Sequence, residues 1–230
     1  MAGNVVPSGP DEEKVLGALR ARFPQAAAAE LLRFARVRRH SAAAACEMYE
    51  AHLKWRRGPG SPEQMAEAAR AVSAKFIRAT GVARDGSPLL FLQGPRYDKN
   101  IGLEKHSLAI AKVLESVVKP NDLRKATFLI DTRGCDGWPN PPGIKMVPFF
   151  RDLNIMFTNQ YPGRIQVAVV YPLPGVVKHI WWMVSRILDE AVSAKFVVLE
   201  GSGGWTAPCP DKLGHYVALD QLPADAQARH

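Results

Sequence analysis

The chain has 230 residues, 47% hydrophobic and 23% charged, a balance ordinary for a globular protein and one that excludes wholesale disorder. At about 150 residues per domain, this length predicts one or two domains with a sizeable core. Lys and Arg outnumber Asp and Glu by 30 to 22, a net +8, and residues 33–57 carry most of the excess as Arg33, Arg36, Arg38, Arg39, Lys54, Arg56 and Arg57 against Glu47 and Glu50.

Residues 1–10 hold Gly, Pro and Asn and read as a frayed tail. A first helix is predicted over Ala26–Arg39, with Leu31, Phe34 and Ala35 on one face. A second starts behind Ser41 as N-cap and stops at Gly58-Pro59-Gly60. Ser61-Pro62-Glu63-Gln64 has the hydroxyl, proline and amide of a helix start. Met65, Ala69, Val72 and Phe76 then recur at helical spacing, so this third helix is expected to run on to Gly81. Beyond Asp85-Gly86 the period changes. Strands are predicted at Leu89–Leu92, Thr127–Ile130, Ile165–Tyr171 and Phe196–Glu200, and helices at Gly102–Val118, Lys145–Gln160 and Val176–Leu188. That alternation implies parallel strands joined by right-handed crossovers, an α/β fold behind a helical region.

Val176–Leu188 is the longest dense apolar stretch, yet it contains Lys178, His179 and Arg186 and falls short of a membrane span. No charged start followed by an apolar run opens the chain, so no secretory leader is expected. Cys46, Cys135 and Cys209 make neither a CxxC pair nor a disulfide framework. A reducing, cytoplasmic setting is the expectation.

Motifs for chemistry are sparse. The six histidines show no metal-ligand spacing with a carboxylate partner. Gly201-Ser202-Gly203-Gly204 follows a strand but lacks the lysine of a phosphate loop. No nucleophile elbow is present. Asp131 and Asp136 flank Arg133-Gly134 at a strand end, where carboxylates can be catalytic in open α/β sheets; a structural loop network is the commoner outcome. No catalytic residue, cofactor or metal is expected. The basic N-terminal face lacks the interleaved aromatics of a stacking platform, so no nucleic-acid partner is expected. In Val176–Leu188, nine of thirteen residues are apolar and they surround most of the helix. Such a helix either lies between two protein layers or meets an apolar cavity on one side and a membrane interface on the other.

Seven stretches resemble the CRAL-TRIO proteins, a lipid-transfer family. Leu31-Leu32-Arg33-Phe34-Ala35-Arg36-Val37-Arg38-Arg39 resembles the family's LLRFLRARK signature, and Trp55-Arg56 its closing W-R. Asp85-Gly86-Ser87-Pro88 resembles its D-G-R-P hairpin, and Asp131-Thr132-Arg133-Gly134 its D-x-x-G strand end. Tyr161-Pro162-Gly163-Arg164 resembles Y-P-E-R, Ser193-Ala194-Lys195 the later S-K strand, and Leu222-Pro223 a terminal L-P. The resemblance implies residues 1–10 as a tail, 11–60 as the N-terminal helical region and 61–230 as a lipid-binding α/β domain with a mainly parallel sheet and an apolar pocket.

It further implies a mobile gate helix over about Gly175–Leu188. Phe149, Phe150, Leu153 and Phe157, with Ile180, Trp181, Trp182, Met183, Val184 and Ile187 of the gate, would line the pocket. Arg38, Arg39 and Lys195 would contact the headgroup, or form a solvated basic face. The family glutamate is here Gly163, and its hydroxyl position is Val192. The function implied is non-enzymatic binding and transfer of a hydrophobic ligand, most readily a phospholipid of the phosphatidylinositol/phosphatidylcholine-transfer kind. The protein would act as a monomer with transient contact to an anionic membrane surface. The alternative is a lipid-sensing or scaffold module without net transfer.

Overall fold

The computed structural model describes residues 6–135, 137–138, 140–174, 193–202 and 207–227. Helix α1 (Pro10–Arg22) is one the sequence reading missed. Proline in its first turn, acidic Asp11, Glu12 and Glu13 there, and Arg20 and Arg22 in its last turn suit a helix and its dipole. It packs through Val15, Leu16 and Leu19 against α2 (Ala28–Val37) and α3 (Ala42–Arg57), around Leu31, Leu32, Phe34 and Tyr49. Ser41 caps α3 by accepting from the Ala44 amide. Ser61 caps α4 (Pro62–Ala71) in the same way from Gln64.

The third helix does not reach Gly81. It ends at Ala71, and residues Ile77–Val82 form strand β1. Phe76 keeps the helical spacing only by coincidence, since it enters the main core from the strand side. The β-branched Ile77, Thr80 and Val82 favour extended backbone. Gly86, with φ 79°, turns the chain into the antiparallel β2 (Pro88–Gln93).

Strands β2, β3 (Ala126–Asp131), β4 (Ile165–Leu173) and β5 (Phe196–Glu200) are mutually parallel, and the spatial order β1-β2-β3-β4-β5 equals the chain order. Right-handed crossovers that always step the same way put their helices on the same side. Accordingly α5 (Leu103–Val117) and α6 (Val147–Gln160) share one core with Leu90, Leu92, Phe128, Ile130, Ala168 and Val170 of the sheet. The opposite face, through Leu89, Phe91, Leu129, Val169 and Leu199, is closed by Leu213, Val217, Leu222 and Ala226 near the C-terminus. Both faces being buried explains why the strands are apolar almost without alternation.

The C-terminal segment also dresses the outer edge of β1. Thr80 Oγ1 donates to the Gln221 carbonyl at 2.5 Å, the Val82 amide donates to Gln221 Oε1 at 3.1 Å, and Arg78 pairs with Asp225 at 2.7 Å. The helical region joins the α/β part through polar contacts of α3. Arg56 Nη1 donates to Glu115 at 2.7 Å, Tyr161 donates to the same carboxylate at 2.7 Å, and His52 Nδ1 lies 3.0 Å from Gln160 Oε1.

At the end of β3, Asp131 and Arg133 form an ion pair with both side chains fully buried. Arg133 donates from Nε and Nη2 to the carboxylate at 2.9–3.2 Å and from Nη1 to the Ala207 carbonyl at 3.1 Å. The loop network expected at this strand end is thus present for these two residues; Asp136 lies outside the described residues. Removing one partner would strand a charge in the interior. Asp131→Ala is therefore expected to lower the unfolding free energy by about 3–5 kcal/mol, read from urea denaturation. A loss below about 1 kcal/mol, the range of an exposed pair, would show that solvent reaches Arg133.

Candidate ligand-binding site

Helix α6 lies over the helix-bearing face of the sheet and leaves a hollow beneath it. Phe150, Leu153, Asn154 and Phe157 form its roof, and the spacing of three, four and seven residues puts them on one helix face. Leu92, Phe128, Ile130, Ala168 and Phe196 form the floor, with Ile110 and Ile165 at the sides. The interior measures about 30 Å³, room for about two water molecules. Asn154 is the polar member of this wall.

The four aromatic and aliphatic residues assigned to this helix from sequence do not all face the hollow. Phe150, Leu153 and Phe157 do. Phe149 is 0% exposed and turns into an aromatic cluster, 6.1 Å from Phe76, 5.3 Å from Tyr97 and 6.4 Å from His106 by ring centroids. Consecutive residues on a helix point about 100° apart, so Phe149 and Phe150 serve different sides. Ile180, Trp181, Trp182, Met183, Val184 and Ile187 lie outside the described residues, as does Val192.

A second space opens beside the hollow and shares two wall residues with it, Phe157 and Ile165. Its wall is basic. Arg38, at the end of α2, and Lys195, just before β5, meet there with Arg164, and Thr158 and Gly163 line it too. Its interior is about 80 Å³. Arg39 is not on this wall: it sits in the exposed turn after α2, where its Nε lies 3.1 Å from His40 Nε2. So the structure brings Arg38 and Lys195 together and leaves Arg39 outside.

Arg164 closes the Tyr161-Pro162-Gly163-Arg164 motif, and its residue type alone gives it no role there. It is 2% exposed, and Nη1 donates to the carbonyls of Asp122 at 2.7 Å and Arg124 at 2.9 Å while Nη2 donates to Lys119 at 2.5 Å. Arg33, 5% exposed, reaches the carbonyls of Pro162 and Pro120 at 3.5 Å. Burial pushes the Arg164 guanidinium down to about 10, and nearby Arg33 adds to the effect. Burial also lowers Arg33. Arg164 therefore stays charged at neutral pH, with its donors spent on carbonyls. Its positive field remains for an anion in the cleft. Gly163, at φ 69°, holds the turn that brings Arg164 inward, and a Cβ there would meet nothing within 4 Å.

Among the described residues there is no group of three or more His, Cys, Asp or Glu that could hold a metal ion. No described helix is long and apolar enough to cross a membrane.

No curated protein matches the chain. The crystal structure of Sfh5 superposes with a TM-score of 0.64 over 84% of this chain and 82% of that one, at 13% sequence identity, a likeness of fold. The family model of the CRAL/TRIO domain matches residues 77–226, which span the sheet, both crossover helices α5 and α6, and the C-terminal segment. The chain belongs to the CRAL/TRIO domain family.

Proposed function

We propose that this protein binds one amphipathic lipid bearing an anionic headgroup and carries it between membranes. The hollow under α6 takes the acyl chain, and Arg38 and Lys195 take the phosphate in the field of Arg164. The observation that carries this reading is the shared wall: Phe157 and Ile165 belong to both the apolar hollow and the basic cleft, so one molecule with a greasy and a charged end spans them. Gly163 offers no carboxylate to accept from an inositol hydroxyl, which favours recognition of the phosphate itself. The site is read as a binding site without a catalytic step.

Energetics sets what the hollow must do. At about 0.8 kcal/mol per methylene, a sixteen-carbon chain leaving a bilayer needs roughly 12 kcal/mol of replacement burial. An interior of about 30 Å³ cannot supply that, so loading calls for the hollow to widen. Residues 175–192 connect β4 to β5, two strands that contribute to the hollow. This connection supports assigning the gate to that segment. Transient contact with an anionic membrane would follow from Lys178 and Arg186 within it.

Two experiments test the reading. Leu153→Trp fills the hollow and is expected to cut co-purifying lipid per protein about tenfold, equivalent to ~1.4 kcal/mol, while the circular dichroism spectrum stays near wild type. Phe149→Ala, by contrast, should cost about 3–5 kcal/mol of stability as a core truncation. If Leu153→Trp unfolds the protein instead, the hollow is ordinary core. The second experiment replaces Arg38 and Lys195 with Ala together. With charge-assisted hydrogen bonds worth about 1.5–3 kcal/mol each, binding of a phosphate-bearing lipid should fall about 100-fold, a neutral lipid should be spared, and Arg39→Ala should change neither. Vesicle-to-vesicle transfer that stays at background in a lipid-loaded wild type would replace carriage with sensing.

A further inference from the structure

The cleft and the hollow contain a feature that neither the acyl chain nor the phosphate uses. Asn154 and Thr158 sit one turn apart on α6, about 6 Å along its axis, Asn154 in the wall of the hollow and Thr158 in the wall of the basic cleft. Phe157, the residue between the two spaces, lies beside both. Asn154 Oδ1 and Thr158 Oγ1 are buried, and among the described residues neither has a hydrogen-bond partner. The great majority of buried polar side-chain atoms are paired. A helical threonine can also bond back to the carbonyl four residues earlier, and Thr158 does not. For Asn154 a water in the hollow is a poor remedy, because a buried water needs two to four polar partners and, among the described residues lining the hollow, Asn154 carries the one polar side chain. For packing only, leucine and valine fit the same shapes without leaving a polar group unpaired.

Resting on the lipid-binding reading above, we propose that Asn154 and Thr158 select the polar segment joining the ligand's acyl chain to its phosphate, and that this segment carries a hydrogen-bond donor. The position is right by construction. A lipid whose chain lies under Phe157 and whose phosphate lies at Arg38 and Lys195 must pass its linker along this turn of α6. The chemistry follows from the atoms. The amide oxygen of Asn154 accepts, and the hydroxyl of Thr158 both donates and accepts. A linker of two esters offers acceptors only and leaves Asn154 Oδ1 unpaired. A free hydroxyl, as in a monoacyl glycerophospholipid, or an amide N–H with a hydroxyl, as in a sphingoid lipid, pairs both residues. A site built to bond such a group discriminates strongly against an analogue lacking it.

Three probes with the same phosphate monoester head separate these cases: lysophosphatidic acid, ceramide 1-phosphate and dioleoyl phosphatidic acid. Each is presented in phosphatidylcholine vesicles, and lipid recovered with the full-length protein is counted by mass spectrometry. Wild type is expected to take lysophosphatidic acid or ceramide 1-phosphate at least tenfold better than phosphatidic acid. Preference for the first assigns a monoacyl ligand and for the second a sphingoid one. The isosteric pair Asn154→Leu with Thr158→Val is expected to erase that preference and keep the lipid-free Tm equal or higher. Equal uptake of all three by wild type overturns the proposal while leaving the lipid-binding reading intact. So does a double variant that loses Tm and keeps the probe ranking, since that marks a structural role. Failure of all three probes to bind overturns the lipid-binding reading and this inference with it. The wild-type ranking requires no variant, so a misfolded double mutant leaves the test decisive.

Discussion

The fixed hand of the strand-helix-strand crossover governs this molecule. From β2 to β5 the chain adds each new parallel strand on the same side of the last, so a constant hand sends the β2–β3 and β3–β4 crossovers to one face. That face acquires α5 and α6, and α6 becomes the roof of the hollow. Among the described residues no crossover helix lies on the other face, which is sealed within residues 211–227 by Leu213, Val217, Leu222 and Ala226. One stereochemical preference thus divides the domain into a face that stores something and a face that is simply shut.

Electrostatics of the cleft depend on a second economy. Arg164 and Arg33 are both almost fully buried, and they brace the segment Lys119–Arg124 and the turn after α6 through carbonyl oxygens. Carbonyls satisfy the Arg164 donors without cancelling its charge, whereas Arg33 also pairs with Glu30 at 3.8 Å. The turn is braced, and Arg38, Arg164 and Lys195 keep the cleft wall basic. A carboxylate in the same place would brace the turn equally well and compete with an anionic ligand. Arg133 shows that alternative, since its charge is neutralised by Asp131 and serves structure alone.

Local signals in the sequence were readable where local chemistry decides the outcome. Ser41 and Ser61 act as the caps their sequence contexts suggest, and the parallel strands emerge within a residue or two of their apolar runs. The overextended third helix shows the opposite case. Val72 and Phe76 continue the helical spacing of Met65 and Ala69, but Ile77–Val82 pairs with β2, and the sheet outweighs the period. Helix α1 carries only Val15, Leu16 and Leu19 toward the core among many charges, too thin a stripe to read alone. Arg38 and Lys195 came together through the family resemblance, whereas Arg39 falls just past the end of α2 and turns outward. Arg164 and the pair Asn154 and Thr158 were illegible for a physical reason. Their significance lies in which hydrogen bonds are made or missing, and that accounting exists only in three dimensions.

Gln221 and Asp225 shield the outermost strand from stray pairing. Strand β1 is the outermost strand of a sheet, and an outermost strand offers free amide and carbonyl groups to any extended chain that drifts past. Here the Gln221 side chain occupies the Val82 amide, its carbonyl occupies Thr80, and Asp225 draws Arg78 across the same border. Gly81 lets the glutamine lie flush, since a Cβ there would come within 1.9 Å of Gln221 Oε1. The last turns of the polypeptide therefore do two jobs at once, closing the sheet's second face and blunting its border. A molecule whose C-terminal segment peeled away would expose both, becoming sticky along a face and templating along an edge in the same event.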